Sequence, residues 1–167
     1  YTAADPFGAY EWAVNINIRG FQKDQLGDTL DGVPLGDMSY GNYNGLHISR
    51  AIFSENLGRV ELAQGAASLS TASTSNLGGA LTFFSRAPSN EFGGEIALTG
   101  GSESMFRGYA RLDTGVVDMT GGKASISYVN HTQDKWKQGR EQKNEQINVS
   151  FEQPIGPGVL SGFYDWS

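Results

Sequence analysis

The sequence predicts a mainly β protein in two parts: a mixed α+β region to about residue 90, then a run of antiparallel strands. Three observations predict it. Beyond residue 90, apolar and polar side chains alternate with a period of two, as in a strand with one apolar face. Before it, short apolar runs are broken by Gly, Asn and Asp turns. Finally, no stretch of about 18 apolar residues occurs, so no transmembrane helix is expected. A membrane stays open, because a transmembrane strand needs only about 9–11 residues with alternate positions apolar. The mean hydropathy of −0.36 does not bear on such strands.

In the first part, Trp12 to Ile18 reads as a strand, with Val14, Ile16 and Ile18 on one face and Asn15 and Asn17 on the other. Asp31-Gly32, between apolar neighbours, marks a tight hairpin turn. Tyr40 to His47, rich in Asn, Gly and Tyr, reads as loop. Ser49 to Leu57 suits a short helix, since Ile48, Ile52 and Phe53 share a face. Val60 to Ala63 is a short strand. Ala66 to Asn76, almost all Ala, Ser and Thr, reads as a tightly packed irregular passage. Ala80 to Phe84 is a strand ending before Pro88.

The second part reads as hairpins. The expected strands are Phe92 to Gly100, Phe106 to Thr114, Lys123 to Asn130, Gln146 to Glu152 and Val159 to Trp166. Phe106, Ala110 and Leu112 share one face of the second strand; Arg107, Tyr109, Arg111 and Asp113 share the other. Tight turns are expected at Asp118 to Gly122 and Pro154 to Gly158, and a long charged loop at His131 to Glu145. Two architectures satisfy this pattern. One is an outer-membrane barrel, apolar outside and polar inside. The other is a soluble sandwich whose apolar face packs on a second sheet. Arg107, Arg111, Asp113 and Glu152 would suit either a wet lumen or solvent.

Charge and motifs exclude several functions. The net charge of −6 and the lack of a Lys/Arg cluster argue against nucleic acid as a partner. The densest basic stretch, Lys135, Lys137, Arg140 and Lys143, is interspersed with Gln and Glu and reads as a solvated loop. There is no Cys, and the two histidines, His47 and His131, lack ligand spacing, so no metal site or cofactor is expected. Ser49, His47 and Asp37 make a triad only on paper, since no Gly-x-Ser-x-Gly elbow supports them. Gly78-Gly79 is followed by neither a helix start nor a Lys, so it is no phosphate loop. No enzyme is expected.

Four elements in order resemble the plug of TonB-dependent outer-membrane receptors. Ile18-Arg19-Gly20-Phe21 resembles the family's Ile-Arg-Gly-Phe element, and Asp31-Gly32-Val33-Pro34 its Asp-Gly-Val-Pro hairpin. Arg59-Val60-Glu61-Leu62-Ala63-Gln64-Gly65 is similar to its Arg-Ile-Glu-Val-x-x-Gly element, followed by Ala66-Ala67-Ser68 near its Pro-Ala-Ser. Gly78-Gly79-Ala80-Leu81-Thr82-Phe83 resembles the Gly-Gly strand that closes the plug, and Arg86-Ala87-Pro88 stands where plug runs into barrel. Gln64 for a usual Arg and Ala66 for a usual Pro are departures that touch the subfamily. The resemblance rests on motifs over residues 13–90 and on pattern alone over 91–167.

The resemblance implies an α+β plug domain, its C-terminal portion at residues 1–90, inside a transmembrane antiparallel β-barrel whose first strands fill residues 91–167. It implies a bacterial outer membrane and active import of a bulky, scarce nutrient: a siderophore–iron complex, cobalamin or a carbohydrate. The implied partners are TonB, through a TonB box upstream of this chain, outer-membrane lipid, and a small-molecule ligand such as a metal chelate. Both chain ends read as cuts, with further strands and an upstream segment expected. A soluble or surface carbohydrate-binding sandwich is the alternative. Ligand-binding candidates are Arg19, Tyr40, Asn42, Tyr43, Asn44 and His47. The Tyr, Asn and His set joins flat rings to adaptable donors and acceptors, which suits a polar ligand in a concave site; an Asn/Gly turn with Tyr packed on the wall is the plainer reading. Arg19 is either a ligand contact or a buried arginine paired with a carboxylate inside the wet barrel, such as Glu61 or a wall residue outside this sequence. Trp136, Tyr164 and Trp166 suit an interfacial aromatic girdle, though Trp136, set among charges, suits an external loop equally.

Overall fold

The computed structural model describes residues 2–4, 15–36, 45–65, 72–73, 76–117, 119–135 and 141–167. Tyr40, Asn42, Tyr43, Asn44 and Trp136, like most of the Ala66 to Asn76 passage, lie outside the described residues. The chain divides into two units, Tyr1–Ser85 and Arg86–Ser167. No described helix is long and apolar enough to cross a membrane.

The first unit holds two small sheets. Strands β1 (Thr2–Ala4) and β2 (Asn15–Asn17) pair antiparallel. Strands β3 (Gly27–Leu30), β4 (Val33–Pro34), β5 (Leu57–Gln64) and β6 (Gly79–Ser85) form a mixed sheet in the order β4-β3-β6-β5. The β3–β6 pair is parallel; its neighbours are antiparallel. Asp31 and Gly32 both have positive φ, 48° and 82°, as the expected two-residue hairpin turn requires. Asp31 does more than turn: its Oδ1 accepts the Ser85 N–H at 3.0 Å, fastening the end of β6.

The expected Ser49 to Leu57 helix is a single turn, α1 (Ile48–Ala51), followed by a 3-10 turn at Ser54–Asn56. Ile52 is extended, with φ −161° and ψ 140°. One turn cannot hold itself, because helix nucleation is unfavourable. Burial of Ile48, Ala51, Ile52 and Phe53 decides the backbone path instead, and burying the last two takes the chain out of the helix. These residues join Ile18, Leu26, Leu30, Ala80, Leu81 and Phe83 in the apolar core of this unit. The Gly78-Gly79 pair is a packing requirement. A Cβ at Gly78 would lie 2.4 Å from Phe21 Cβ, and one at Gly79 2.5 Å from the Ala63 carbonyl oxygen. Strand β5 is the sheet edge, where Arg59 lies over the Phe84 ring at 3.9 Å.

The second unit is one antiparallel meander of five strands: β7 (Phe92–Gly100), β8 (Phe106–Thr114), β9 (Lys123–Asp134), β10 (Glu141–Ile155) and β11 (Gly158–Trp166). The expected bounds of the first two strands match the observed ones. The long His131 to Glu145 loop does not form as expected, because β9 and β10 stay paired up to Asp134 and Glu141. Those positions are polar on both faces, so they read as loop in the sequence. Backbone ladder bonds need no apolar side chains, so the hairpin continues.

The faces of this sheet are reversed relative to a soluble protein. Tyr109, Arg111, Ser127, His131, Gln146 and Asn148 are buried, with Gln146 and His131 at 0% exposure. On the other face Ile96 and Leu98 are 80% and 71% exposed, and Leu112, Ile126, Tyr128, Phe151, Tyr164 and Trp166 are exposed beside them. The register aligns these apolar residues: Leu112 opposite Ile126, Ile126 opposite Val149, Val149 opposite Tyr164. A sandwich would bury that face and leave the polar one to water. The opposite arrangement is that of a barrel wall in lipid. Tyr164 and Trp166 lie on the outer face, as a girdle requires.

Ile126→Arg tests this orientation. A lipid-facing cation near the bilayer centre costs about 2–4 kcal/mol. Denaturant titration of the full-length protein in lipid bilayers should show that loss. Unchanged stability would contradict a lipid-facing outer surface.

Candidate functional site

In the first unit, two features present polar groups around a turn and a loop base. The first is the turn at Arg19-Gly20. Ile18 and Phe21 exchange both backbone hydrogen bonds at 3.0 Å, so the two residues between them project as a tight turn. Arg19 has φ 53° and Gly20 φ 87°. A left-handed backbone is unfavourable for a side chain as large as Arg. Asn17 supports it by accepting the Gly20 N–H at 3.1 Å. Arg19 is exposed, and no described carboxylate pairs with it. The buried pairing with Glu61 is not what forms, since Glu61 bonds Arg59 at 3.1 Å.

The second feature is the base of the segment from 37 to 44. Gly36 N–H donates to the Leu46 carbonyl at 3.0 Å and closes that base. Gly45, at φ 86°, comes so close that a Cβ there would meet Gly36 N at 2.9 Å. His47 follows directly. It is buried, and its Nδ1 accepts the Ser49 N–H at 3.1 Å, capping α1. The same Nδ1 lies 2.7 Å from Ser49 Oγ. One nitrogen therefore serves the backbone cap, which gives the pair a structural use. Beneath lies a buried ion pair, Lys23 Nζ to Asp28 Oδ2, and Lys23 also donates to the Gly36 carbonyl at 3.4 Å. Leu35 N–H donates to the Asp28 carbonyl at 2.8 Å. Backbone and charge together hold both ends of the segment that carries Tyr40, Asn42, Tyr43 and Asn44.

Sequence reasoning missed Lys23 and Asp28. They are five residues apart, and only the 3-10 turn Lys23–Gln25, leading into the fully buried β3, brings them together. Nothing in the spacing marks a contact. Of the expected site residues, the structure describes only Arg19 and His47, one at an exposed turn and one buried.

The polar face of the second unit carries its own contacts. Arg107 Nη1 lies 3.3 Å from His131 Nδ1, and Ser125 Oγ lies 2.7 Å from Ser150 Oγ. Arg111 grips both carboxylate oxygens of Asp113, Nε to Oδ2 at 2.8 Å and Nη2 to Oδ1 at 2.9 Å. No three potential metal ligands cluster among the described residues.

Burial pushes the Asp28 carboxyl above its ordinary range, and the Lys23 charge opposes the shift. A carboxyl with a raised folded pKa contributes stability that is fully present below the unfolded value near 3.8. That contribution is lost as pH rises through the folded pKa. Lys23→Met removes the opposing charge. It should destabilise the protein at neutral pH by about 3–5 kcal/mol, by stranding a buried charge. The loss should shrink as pH falls and Asp28 takes up its proton. Unfolding midpoints of Lys23→Met and of Lys23→Met with Asp28→Asn, followed against pH, check this. A loss independent of pH in both would show that Asp28 is not its source.

Residues 3–80 match the family described as TonB-dependent Receptor Plug Domain. No curated protein matches the chain by sequence. Among solved structures, the chain is similar to the pyoverdine outer membrane receptor of Pseudomonas aeruginosa PAO1, with 21% identity over 91% of this chain and a TM-score of 0.72. It is also similar to the alcaligin outer membrane receptor of Bordetella pertussis, with 20% identity over 92% and a TM-score of 0.71. A third is the siderophore receptor PiuA of Acinetobacter baumannii, with 20% identity over 98% and a TM-score of 0.66. The chain spans 21%, 25% and 22% of those three receptor chains.

Proposed function

Because this chain carries the plug domain and barrel strands of a TonB-dependent receptor, we propose that the protein imports a siderophore–iron complex across the bacterial outer membrane. The observation that carries the reading is the joining of a plug to a sheet with its polar face buried and its apolar face exposed. Such a sheet suits lipid outside and a wet lumen inside. A sandwich binding module would need the reverse, so that alternative is not favoured. The siderophore class is supported by the receptors that share the fold, whose names carry pyoverdine, alcaligin and siderophore. The matches are to receptors rather than enzymes, so the reading involves no covalent chemistry.

In this mechanism the ligand docks on exposed turns of the plug. The plug then shifts under a pull from TonB, acting through a segment upstream of this chain, and the chelate passes. Arg19 is the proposed cationic contact, because it is exposed, turn-borne and without a described carboxylate partner. A siderophore chelate presents oxygen acceptors that such a guanidinium can bond. Tyr40, Asn42, Tyr43 and Asn44 are proposed as ligand contacts. His47 supports their segment through its cap, in keeping with its burial.

Uptake of radioactive iron by cells whose only receptor is the full-length protein tests the function. A panel of ferric hydroxamates, catecholates and pyoverdines should yield at least one chelate whose uptake vanishes when TonB is deleted. Uptake that persists without TonB, or no binding across the panel, would overturn the reading. Arg19→Asn keeps a residue that tolerates positive φ. It should weaken chelate binding by about 1.5–3 kcal/mol, the range for a charged hydrogen bond, with an unchanged melting temperature. Equal affinity in the variant would remove Arg19 from the site.

A further inference from the structure

Residues 86–91 join the plug to β7 and belong to no strand, yet several bonds fasten them to the strand unit. Arg111 and Asp113, both buried, form the centre of this attachment. While Nε and Nη2 hold the Asp113 carboxylate, Nη2 also donates to the Ala87 carbonyl at 3.1 Å. Asp113 Oδ1 in turn accepts the Ser89 N–H at 2.8 Å. On the following residue, Asn90, the carbonyl accepts the Val116 N–H at 3.1 Å and the side-chain Oδ1 accepts from Lys123 Nζ at 2.9 Å. Lys123 is itself held by Glu152 at 2.9 Å. At the front, Arg86 pairs with Glu95 at 2.9 Å.

We propose that Arg111 and Asp113 are positioning residues for import: they clasp residues 86–91 to the barrel wall, so that a pull on the plug stops at Ser85 and never loads β7. The inference rests on the reading in which the plug is displaced by a pull. Tension travels along the covalent chain until non-covalent bonds share it. Here the bonds at Ala87, Ser89 and Asn90 act in parallel before the chain reaches Phe92. The bonds at Ala87 and Ser89 are charge-assisted, since they are made by the Arg111 guanidinium and the Asp113 carboxylate, which their bidentate pairing on β8 holds in place. The stop has a purpose. Peeling β7 would leave backbone groups unpaired in lipid, at several kcal/mol each. A clasp ahead of the first strand keeps the wall intact while the plug rearranges.

Force microscopy on the full-length receptor in lipid bilayers tests this, with the handle at the receptor's amino terminus. After the last plug event, the wild type should show one separate rupture releasing no more than roughly 20 Å, the fully extended length of residues 86–91 at about 3.3–3.6 Å each, less the span they already cover. Arg111→Met should lose that rupture, the same length being released together with the plug. Asp113→Asn keeps an acceptor for Ser89 but loses the charge, so its rupture should persist at lower force. Heat-modifiable gel migration checks that each barrel has folded. A wild type without the separate event, or Arg111→Met with an unchanged one, overturns the clasp. If Arg111→Met does not fold, a wild-type rupture force in Asp113→Asn overturns it. The instrument supplies the pull, so this result is independent of whether any chelate is imported. Failed uptake with an intact clasp would count against the function alone.

Discussion

A sheet that turns its apolar face outward constrains everything attached to it. In water, the exposed row of Leu112, Ile126, Val149 and Tyr164 would drive aggregation or burial. In lipid the same row is solvated, but the backbone then finds no water and must pair with itself. Long neighbouring strands joined by hairpins meet this demand, and β7 to β11 form such a meander. The demand also reaches the edges. Among the described residues, strands β7 and β11 each have one pairing side open, so a wall built from them needs further strands on both sides.

The same constraint sets the chemistry of the other face. Polar residues there are buried, and several of them find partners on the same face. Asn148 donates to Asp165 at 2.9 Å, Ser125 meets Ser150, and Arg111 meets Asp113 two residues along its own strand. Side chains on one face of neighbouring strands lie within reach of each other, which makes such networks possible. The plug has the opposite difficulty. Its sheets are small and one strand, β5, is largely exposed. It therefore relies on special backbone positions, Gly78-Gly79 against Phe21 and Ala63, and Asp31 against Ser85.

The strand half was legible because its physics is periodic. Alternation of Phe106, Ala110 and Leu112 against Arg107, Tyr109 and Arg111 needs no knowledge of partners, and β8 has the expected bounds. What alternation could not say was which face is buried. That depends on the surroundings of the sheet, and only the motifs of the plug pointed to lipid. Where both faces are polar, from His131 to Glu145, the period carries no signal and the ladder was missed. The plug was legible as motifs and less so as elements. The helix over Ser49 to Leu57 fell short because burial of Ile52 and Phe53 overrides a local pattern of one turn. The left-handed backbone of Arg19 and its exposed turn were not visible in its letter, and neither was the contact between Lys23 and Asp28.

Two buried ion pairs share a logic that explains their positions. Lys23 holds Asp28 and spends a further N–H on the Gly36 carbonyl; Arg111 holds Asp113 and spends one on the Ala87 carbonyl. In each case the aspartate's own residue ties the same irregular stretch from the other side: Asp28 through its carbonyl to Leu35 N–H, Asp113 through its carboxylate to Ser89 N–H. Irregular chain has no ladder, so its buried backbone groups need partners from elsewhere. A charged pair can supply a donor and an acceptor at once. Replacing such a pair with apolar side chains of equal volume could preserve stability. It could not preserve every tie to the chain, because the side-chain bonds to the Gly36 and Ala87 carbonyls and to Ser89 N–H would be lost, while the Asp28 carbonyl would keep its bond to Leu35. The pairs are therefore better understood as fixing where residues 35–36 and 87–89 run than as adding to the stability of the fold.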